Sequence, residues 1–366
     1  MPIDPTAVHA LAPLRISFVG GGTDFPHWYL DHGSAVLSAT IDHFVRVRLT
    51  RIDEYDLNLF EFDLDLTFFV FFLNAENKVY ARYGGRDAQS ADSRHSLDGL
   101  RYTMESVLAM HEREAKQFAP RTDTQRLFAR DVTGWYGGGC MHCHQVKEAM
   151  HDKLKREGNW KRTDAWRYPL PENVGVRLET DRGNVVEEIL PESAAELAGL
   201  AAGDVIQSLG SIPIHSFADA QFALDKAPAQ GTLAVTWLRG GEPHAATLSL
   251  AYEWKKSDLD WRASVRWRLI PSLPLSGEDL TADEREELAL ADKQLAFRSA
   301  RLKTRAKEAG FQDGDIVVAI DDRTPDMTVT EFRAFIRHEF LVGDTITLTV
   351  LRNGESLKIP LTLSNP

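Results

Sequence analysis

The chain has 366 residues, of which 43% are apolar and 26% are charged, a composition typical of a soluble globular protein with two or three domains. Its formal net charge of -12 argues against a general nucleic-acid-binding protein and against binding to anionic membranes. Two cysteines are too few for a disulfide scaffold, and no apolar run reaches the roughly 18 residues of a membrane span.

Residues 1–50 contain an apolar strand, "LRISFV", that runs into three successive glycines. The segment "APLRISFVGGGTDFPHWY" resembles the opening of heptose 7-phosphate kinases, members of the galactose/homoserine/mevalonate kinase superfamily. The resemblance implies a segment that helps to hold a sugar. The glycine- and serine-rich loop that binds the phosphates in that family does not occur in the chain, so we predict a kinase-like fragment without kinase activity.

Residues 51–118 carry a different pattern. The apolar run "LTFFVFFL", the polar turn "NAENK" and the strand "VYARYG" predict a β-hairpin, and an amphipathic helix follows it. With the later "GGGCMHCHQV", this region resembles the thioredoxin-like part of bacterial proteins that join such a domain to PDZ domains, some of which carry selenocysteine. The resemblance implies a partial thioredoxin-like fold here.

The C-terminal half contains an internal repeat. The run "ELAGLAAGDVIQSLG" recurs as "KEAGFQDGDIVVAID", so that Asp204 matches Asp315 at an offset of 111 residues. A period of this size indicates duplicated domains. Both copies resemble bacterial PDZ domains, which we place at residues 172–254 and 255–366. The predicted fold class is therefore α+β and multidomain.

A PDZ domain binds an extended peptide along a sheet edge and holds its terminal carboxylate with backbone N–H groups. In the first copy the resemblance assigns this role to the loop from Asn173 to Val176, the strand that follows and the helix carrying Phe222. The expected partners are protein C-termini or extended peptides. In the second copy we predict the first strand within or near "ASVRWRLIP" and a helix over the charged insert that follows, and we do not predict a peptide groove. The predicted peptide-binding residues are Asn173, Val174, Gly175, Val176, Leu178 and Phe222.

Residues 119–171 hold both cysteines, Cys140 and Cys143, and a linker. An apolar stripe at Val146, Met150 and Leu154 predicts a helix from about Cys143, with Cys140 at its N-terminus. Free N–H groups there favour a thiolate, so the pair reads as a catalytic redox dithiol.

Other interpretations of the cysteine pair stay open. The spacing C-x-x-C-H fits haem attachment through Cys140, Cys143 and His144. It also fits a zinc site completed by two of His142, His144 and His151, or a dithiol without chemistry. We assign no cofactor and no metal.

The leading functional prediction is a PDZ protein that binds peptides and is coupled to thiol-disulfide chemistry, with a redox partner. The alternative is a non-catalytic PDZ scaffold with a structural dithiol. The N-terminus lacks a basic segment followed by an apolar core, so the sequence as it stands favours the cytoplasm, whereas the resembled family allows export.

Overall fold

A computed structural model of the chain describes residues 8–13, 44–49, 56–74, 77–114, 125–134 and 141–365. It divides the chain into two compact units, Met1–Ser257 and Asp258–Pro366. Helices and strands are mixed in both units, which agrees with the predicted mixture of α and β structure.

The first unit opens with a four-stranded sheet. Its strands are β1 (Val8–Pro13), β2 (Phe44–Leu49), β3 (Phe69–Leu73) and β4 (Val79–Gly84). The order is β2-β1-β3-β4, in which β1 and β2 are parallel and the other neighbours are antiparallel. The predicted hairpin is therefore confirmed as β3 and β4. The triple glycine of the kinase-like segment lies outside the described residues.

β3 is apolar at all five positions because both of its faces are covered. Phe69, Phe71 and Leu73 pack into one core, and Val70 and Phe72 pack into a second core. Side chains alternate across a strand, so a strand of this composition needs a layer on each side. Helices contribute to both layers: α1 (Leu97–Glu114), α2 (Ala129–Thr133) and α3 (Cys143–Arg156).

The described residues up to 166, here called the N-terminal region, are followed by the first of the two predicted PDZ domains. Two short 3-10 helices, Arg162–Trp166 and Pro171–Val174, lead into it. Its two sheets have the orders β5-β6 and β10-β9-β7-β8. The elements are β5 (Val176–Leu178), β6 (Val186–Ile189), α4 (Ala194–Leu197), β7 (Val205–Leu209), β8 (Ile212–Pro213), α5 (Phe217–Lys226), β9 (Gly231–Arg239) and β10 (Glu242–Leu250).

The second unit contains the second PDZ domain, built around one five-stranded sheet of order β11-β12-β13-β14-β15. Its core is separate and includes Phe297, Phe332 and Leu348. The elements are α6 (Ala263–Arg266), β11 (Leu275–Asp279), α7 (Ala282–Glu287), β12 (Phe297–Leu302), α8 (Thr304–Glu308), β13 (Ile316–Ile320), α9 (Val329–Glu339), β14 (Thr345–Arg352) and β15 (Glu355–Thr362).

The first strand of the second domain lies near the predicted stretch "ASVRWRLIP" and not within it. Residues 263–266 form α6, and the strand comes later as β11. Val265 and Leu269 are buried at a spacing of four, while Trp267 is 62% exposed, so the apparent alternation belongs to a helical turn. The predicted helix in the charged insert is confirmed only over Ala282–Glu287.

Among the described residues, no helix is both long enough and apolar enough to cross a membrane.

Candidate peptide-binding grooves and the cysteine helix

The loop predicted to hold a peptide carboxylate lies between a 3-10 helix and β5. Gly175 has a φ of 88°, and a Cβ atom there would lie 2.0 Å from Ser193 Oγ. Only glycine fits both the backbone conformation and the contact. The carbonyl of Gly175 accepts a hydrogen bond of 2.9 Å from the Leu190 N–H, which fixes the loop against the next segment.

β5 uses one of its two edges to pair with β6. The Gly175 carbonyl and the Glu179 N–H both bond on that side, the latter to the Val185 carbonyl at 3.0 Å. Backbone groups alternate between the edges of an antiparallel strand, so Val176 and Leu178 present theirs on the opposite edge. In a PDZ domain this is the edge along which a peptide adds as a strand.

The side chains predicted to line the groove are used for packing. Val174, Val176 and Leu178 are 3%, 3% and 1% exposed and belong to the core of the first PDZ domain. Asn173 Nδ2 donates to the carbonyls of Trp254 and Lys256 at 2.9 and 3.0 Å. The structure therefore brings these residues together, with the backbone of β5 rather than their side chains facing the groove edge.

α5, the predicted groove wall, is covered from its start to Asp225. From Ser216 to Asp225 every residue is buried except Phe222, which is half-buried. The Arg82 guanidinium lies 3.5 Å from the centre of the Phe222 ring. The groove-wall residue predicted from sequence is thus in contact with the N-terminal region.

The end of β4 also docks on the start of α5 through its backbone. The Arg82 N–H donates to Asp219 Oδ1 at 2.9 Å, and the Ser216 hydroxyl donates to the Arg82 carbonyl. Burial raises the pKa of Asp219 to about 7, although the neighbouring Arg82 guanidinium opposes this shift.

Arg94 reaches the groove edge of β5 from the N-terminal region. Its Nη1 donates to the Leu178 carbonyl at 3.1 Å, and its guanidinium carbon lies 4.7 Å from the centre of the Phe217 ring. Leu178 is 84 residues away in the chain, so no local pattern signals this contact. Sequence reasoning missed both Arg82 and Arg94.

The second PDZ domain has a different groove edge. β11 is an edge strand of its sheet, paired with β12 on one side. The Lys303 N–H donates to the Pro274 carbonyl at 2.8 Å, which corresponds to the bond between Leu190 and Gly175 in the first domain. Proline has no N–H and cannot adopt a positive φ, so the second loop does not reproduce the first.

β11 ends against the helix of the second domain. Asp279 Oδ1 accepts a hydrogen bond of 2.8 Å from the Val329 N–H at the start of α9. On α9, Val329, Phe332 and Ile336 are buried in the domain core, while Thr330 and Ala334 are exposed. The second helix is therefore amphipathic, unlike α5.

The cysteine helix begins as predicted, at Cys143 in α3. Cys143 is half-buried, and burial raises the pKa of its thiol to about 11. Cys140 lies outside the described residues. The His142 and His144 rings stack at 5.6 Å, and His144 Nδ1 lies 2.9 Å from Glu148 Oε1. In the part of the chain that the structure describes, no three His, Cys, Asp or Glu side chains are grouped to hold a metal ion.

A serine–histidine pair joins the N-terminal region to the first PDZ domain. Ser106 Oγ lies 2.7 Å from His215 Nδ1. In a serine-protease triad the carboxylate bonds the histidine ring, whereas Asp219 here accepts from the backbone N–H of His215 at 3.2 Å. This pair therefore ties two segments of the chain together.

The two repeats are PDZ domains. Family models described as PDZ domain match residues 185–239 and 292–363. Neither match extends into the N-terminal region, so its thioredoxin-like and kinase-like resemblances stay predictions.

Among curated proteins, the chain is similar to periplasmic serine endoproteases. It is 26% identical over 182 residues to the periplasmic serine endoprotease DegP of Salmonella typhimurium, covering 50% of this chain and 34% of that protein. It is 26% identical over 189 residues to the periplasmic pH-dependent serine endoprotease DegQ of Escherichia coli, covering 49% and 36%. The chain thus spans about a third of the length of the curated relatives it matches.

Solved structures with similar parts include the HtrA-type protease AlgW with decapeptide, at 15% identity and a TM-score of 0.25, covering 36% of this chain and 42% of that one. A serine endoprotease from Yersinia pestis has 22% identity and a TM-score of 0.21, covering 27% and 32%.

The predicted thiol-disulfide function of Cys140 and Cys143 is wrong. The relatives are serine endoproteases with no redox activity in their names, and a redox partner has no support. The physical reason lies in the environment of Cys143, because a half-buried thiol with a raised pKa is a poor source of thiolate.

Proposed function

We propose that this chain recognises extended segments of other proteins through its PDZ domains and that it serves a proteolysis-related function. Within that function, we assign to this chain the binding of the extended protein segments. The names of its curated relatives support the link to proteolysis, and the two PDZ domains support the recognition step.

The observation that carries the proposal is β11, an edge strand beside α9 in the second domain, where the sequence alone predicted no peptide groove. An added peptide strand would bond its backbone to this edge, and its alternate side chains would contact the sheet and the helix. Ordering a few residues of peptide offsets much of this gain, so affinities on the order of micromolar are expected.

For the first domain we propose protein C-termini as ligands along β5, with the loop from Asn173 to Val176 holding the carboxylate. Gly175 supports this assignment because only glycine allows the loop both its positive φ and its close approach to Ser193. The loop before β11 contains Pro274, so we propose that the second domain takes internal segments as well as C-termini.

The test uses the full chain and labelled decapeptides selected on it from a random library. Backbone N-methylation at alternate peptide residues should weaken binding at least tenfold, because each methyl group removes one N–H that strand addition uses. Methylation at the intervening residues, whose N–H groups face away, is the matched control. Hydrogen exchange of residues 275–279 should slow when the peptide binds.

Equal effects of methylation at every peptide position, with unchanged exchange over β11, would contradict the proposal. Amidation of the peptide C-terminus distinguishes binding at the first domain from binding at the second. It should weaken binding along β5 and leave binding along β11 unchanged.

A further inference from the structure

Arg94 spans the groove of the first PDZ domain from strand to helix. It bonds the Leu178 carbonyl on one side at 3.1 Å and stacks on Phe217 of α5 on the other. A peptide strand that added to β5 would need this carbonyl as the acceptor for its own N–H. Arg94 and a peptide therefore compete for the same atom.

Two carboxylates hold Arg94 in place. Its Nε donates to Asp87 Oδ2 at 2.9 Å, and its Nη2 donates to Glu172 Oε1 at 2.7 Å. Arg94 is 8% exposed, so these charge-assisted bonds lie largely out of water, where they are strong. Glu172 directly precedes the loop proposed to hold a peptide carboxylate.

The backbone around Arg94 is docked as well. The Thr180 hydroxyl donates to the Ser93 carbonyl at 3.4 Å, next to the end of β5. A Cβ atom on Gly85 would lie 3.0 Å from the Phe217 ring, and one on Gly99 would lie 2.5 Å from the Thr180 carbonyl oxygen. Glycines on both sides of Arg94 thus let the chain approach the PDZ domain closely.

We infer that residues 82–96, here called the plug segment, close the peptide groove of the first PDZ domain, with Arg94 as the central contact. The inference rests on the proposed function, because it concerns the regulation of that binding site. Peptides reach β5 only when the plug segment leaves, so the observed affinity is the intrinsic affinity reduced by the fraction of open molecules.

The test compares the full chain with its Arg94→Ala variant. The peptide is a labelled decapeptide with a free C-terminus, selected from a random library on the variant. Removal of Arg94 leaves Asp87 and Glu172 without this shared partner and frees the Leu178 carbonyl. Binding should tighten about tenfold or more, because Arg94 no longer occupies the Leu178 carbonyl and no longer anchors the plug segment through Asp87 and Glu172. Hydrogen exchange over residues 172–180 should slow on peptide binding in the variant alone.

Arg101→Ala is the matched control. Arg101 lies on α1, is exposed, and pairs with Asp98 at 3.0 Å on the same helix. This variant should bind the peptide as the unchanged chain does. Asp87→Asn weakens the hold on Arg94 without changing a residue of the PDZ domain. It should also tighten peptide binding, by a smaller factor than Arg94→Ala. Circular dichroism identifies any variant that fails to fold.

If the unchanged chain and Arg94→Ala bind the peptide with equal affinity, and residues 172–180 are protected in both, the inference that the plug segment closes the groove is overturned. The proposed function then stays intact. The inference is also overturned if hydrogen exchange over residues 84–99 accelerates in folded Arg94→Ala or Asp87→Asn, which indicates release of this segment, and β5 still binds no peptide. The proposed function fails instead if no decapeptide binds at β5 or β11 in any variant.

Discussion

Asp204 and Asp315 occupy the same position in the two PDZ domains and make the same contacts. Asp204 Oδ2 accepts from the Ala201 N–H at 2.8 Å, and Asp315 Oδ2 accepts from the Gln312 N–H at the same distance. Each of these bonds satisfies a backbone donor of the turn. The sequence did not reveal their second partners, because Arg239 and Arg352 lie 35 and 37 residues downstream.

The pKa values of both aspartates are lowered, because their hydrogen-bond partners outweigh the effect of burial. Burial alone would raise the pKa of Asp204, but the Arg239 guanidinium and the Ala201 N–H outweigh it and lower the pKa. The same balance holds at Asp315 with Arg352. The duplicated sequence thus carries a duplicated charge pair beneath the turn.

Cys143 is expected to react slowly with iodoacetamide. In a Cys140→Ser chain at pH 8, its alkylation should be at least about tenfold slower than that of a free cysteine, because a pKa of about 11 leaves little thiolate. Mass spectrometry against time measures the rate. The same protein unfolded in urea is the control, since its thiol should react at the ordinary rate. A rate in the folded chain equal to that of the unfolded chain would refute the assignment.

At the scale of elements, α5 belongs to two cores. Phe217, Ala220 and Leu224 pack into the first PDZ domain, while Ala218 packs into the core beneath β3. A PDZ domain that stood alone would leave the second face in water. Periodicity shows which positions are apolar, but it does not show that a polar residue such as Asp219 will be covered by another part of the chain.

The C-terminal end of α5 is tied down by an ion pair. Arg167 donates to both oxygens of Asp225 at 2.7 and 2.6 Å, and the Tyr168 N–H donates to Asp225 at 2.9 Å. Burial alone would raise the pKa of Asp225, but the bonds from Arg167 and Tyr168 outweigh it and lower the pKa.

Asp225→Asn should lower the free energy of unfolding of the first unit by about 1.5–3 kcal/mol at pH 7, the range for hydrogen bonds to charged groups. Because the pKa of Asp225 is lowered on folding, its stabilisation is present above about pH 4 and is lost as the pH falls further. Urea unfolding at pH 7 and at pH 3 measures the difference between the two chains, which should shrink at the lower pH.

The matched control is Asp181→Asn, which replaces an exposed aspartate in the same unit. It should change the free energy of unfolding by less than about 0.5 kcal/mol at either pH. A difference between Asp225→Asn and the unchanged chain that grows below pH 4 would contradict the sign of the pKa shift.

At the scale of the whole molecule, the compact units differ in extent from the PDZ repeats. The first unit extends over Met1–Ser257 and the second over Asp258–Pro366. The second unit has its own core, whereas the first PDZ domain shares α5 with the N-terminal region.

Two fragments test this difference. Residues 258–366 expressed alone should unfold cooperatively in urea, because their apolar core is complete. Residues 172–254 alone should be marginal, since the outer face of α5 loses its cover and Asp219 loses its partner Arg82. Circular dichroism during urea titration measures both transitions. Equal stability of the two fragments would show that the N-terminal region is not needed by the first domain.

The sequence by itself determined the local and repeated features of this protein. The spacing of glycines and aspartates identified two PDZ domains, the apolar run "LTFFVFFL" identified a hairpin strand, and the stripe from Val146 identified the start of α3. These features follow from turn chemistry and periodicity within a few residues, so they are visible in the chain itself.

Only the tertiary structure decided what covers these elements. Arg94 meets Leu178 across 84 residues, and Arg82 meets Asp219 across 137 residues. Burial, not position at a helix start, sets the high pKa of Cys143. Such effects depend on which distant segment removes a group from water, and a single sequence carries no local signal of that partner.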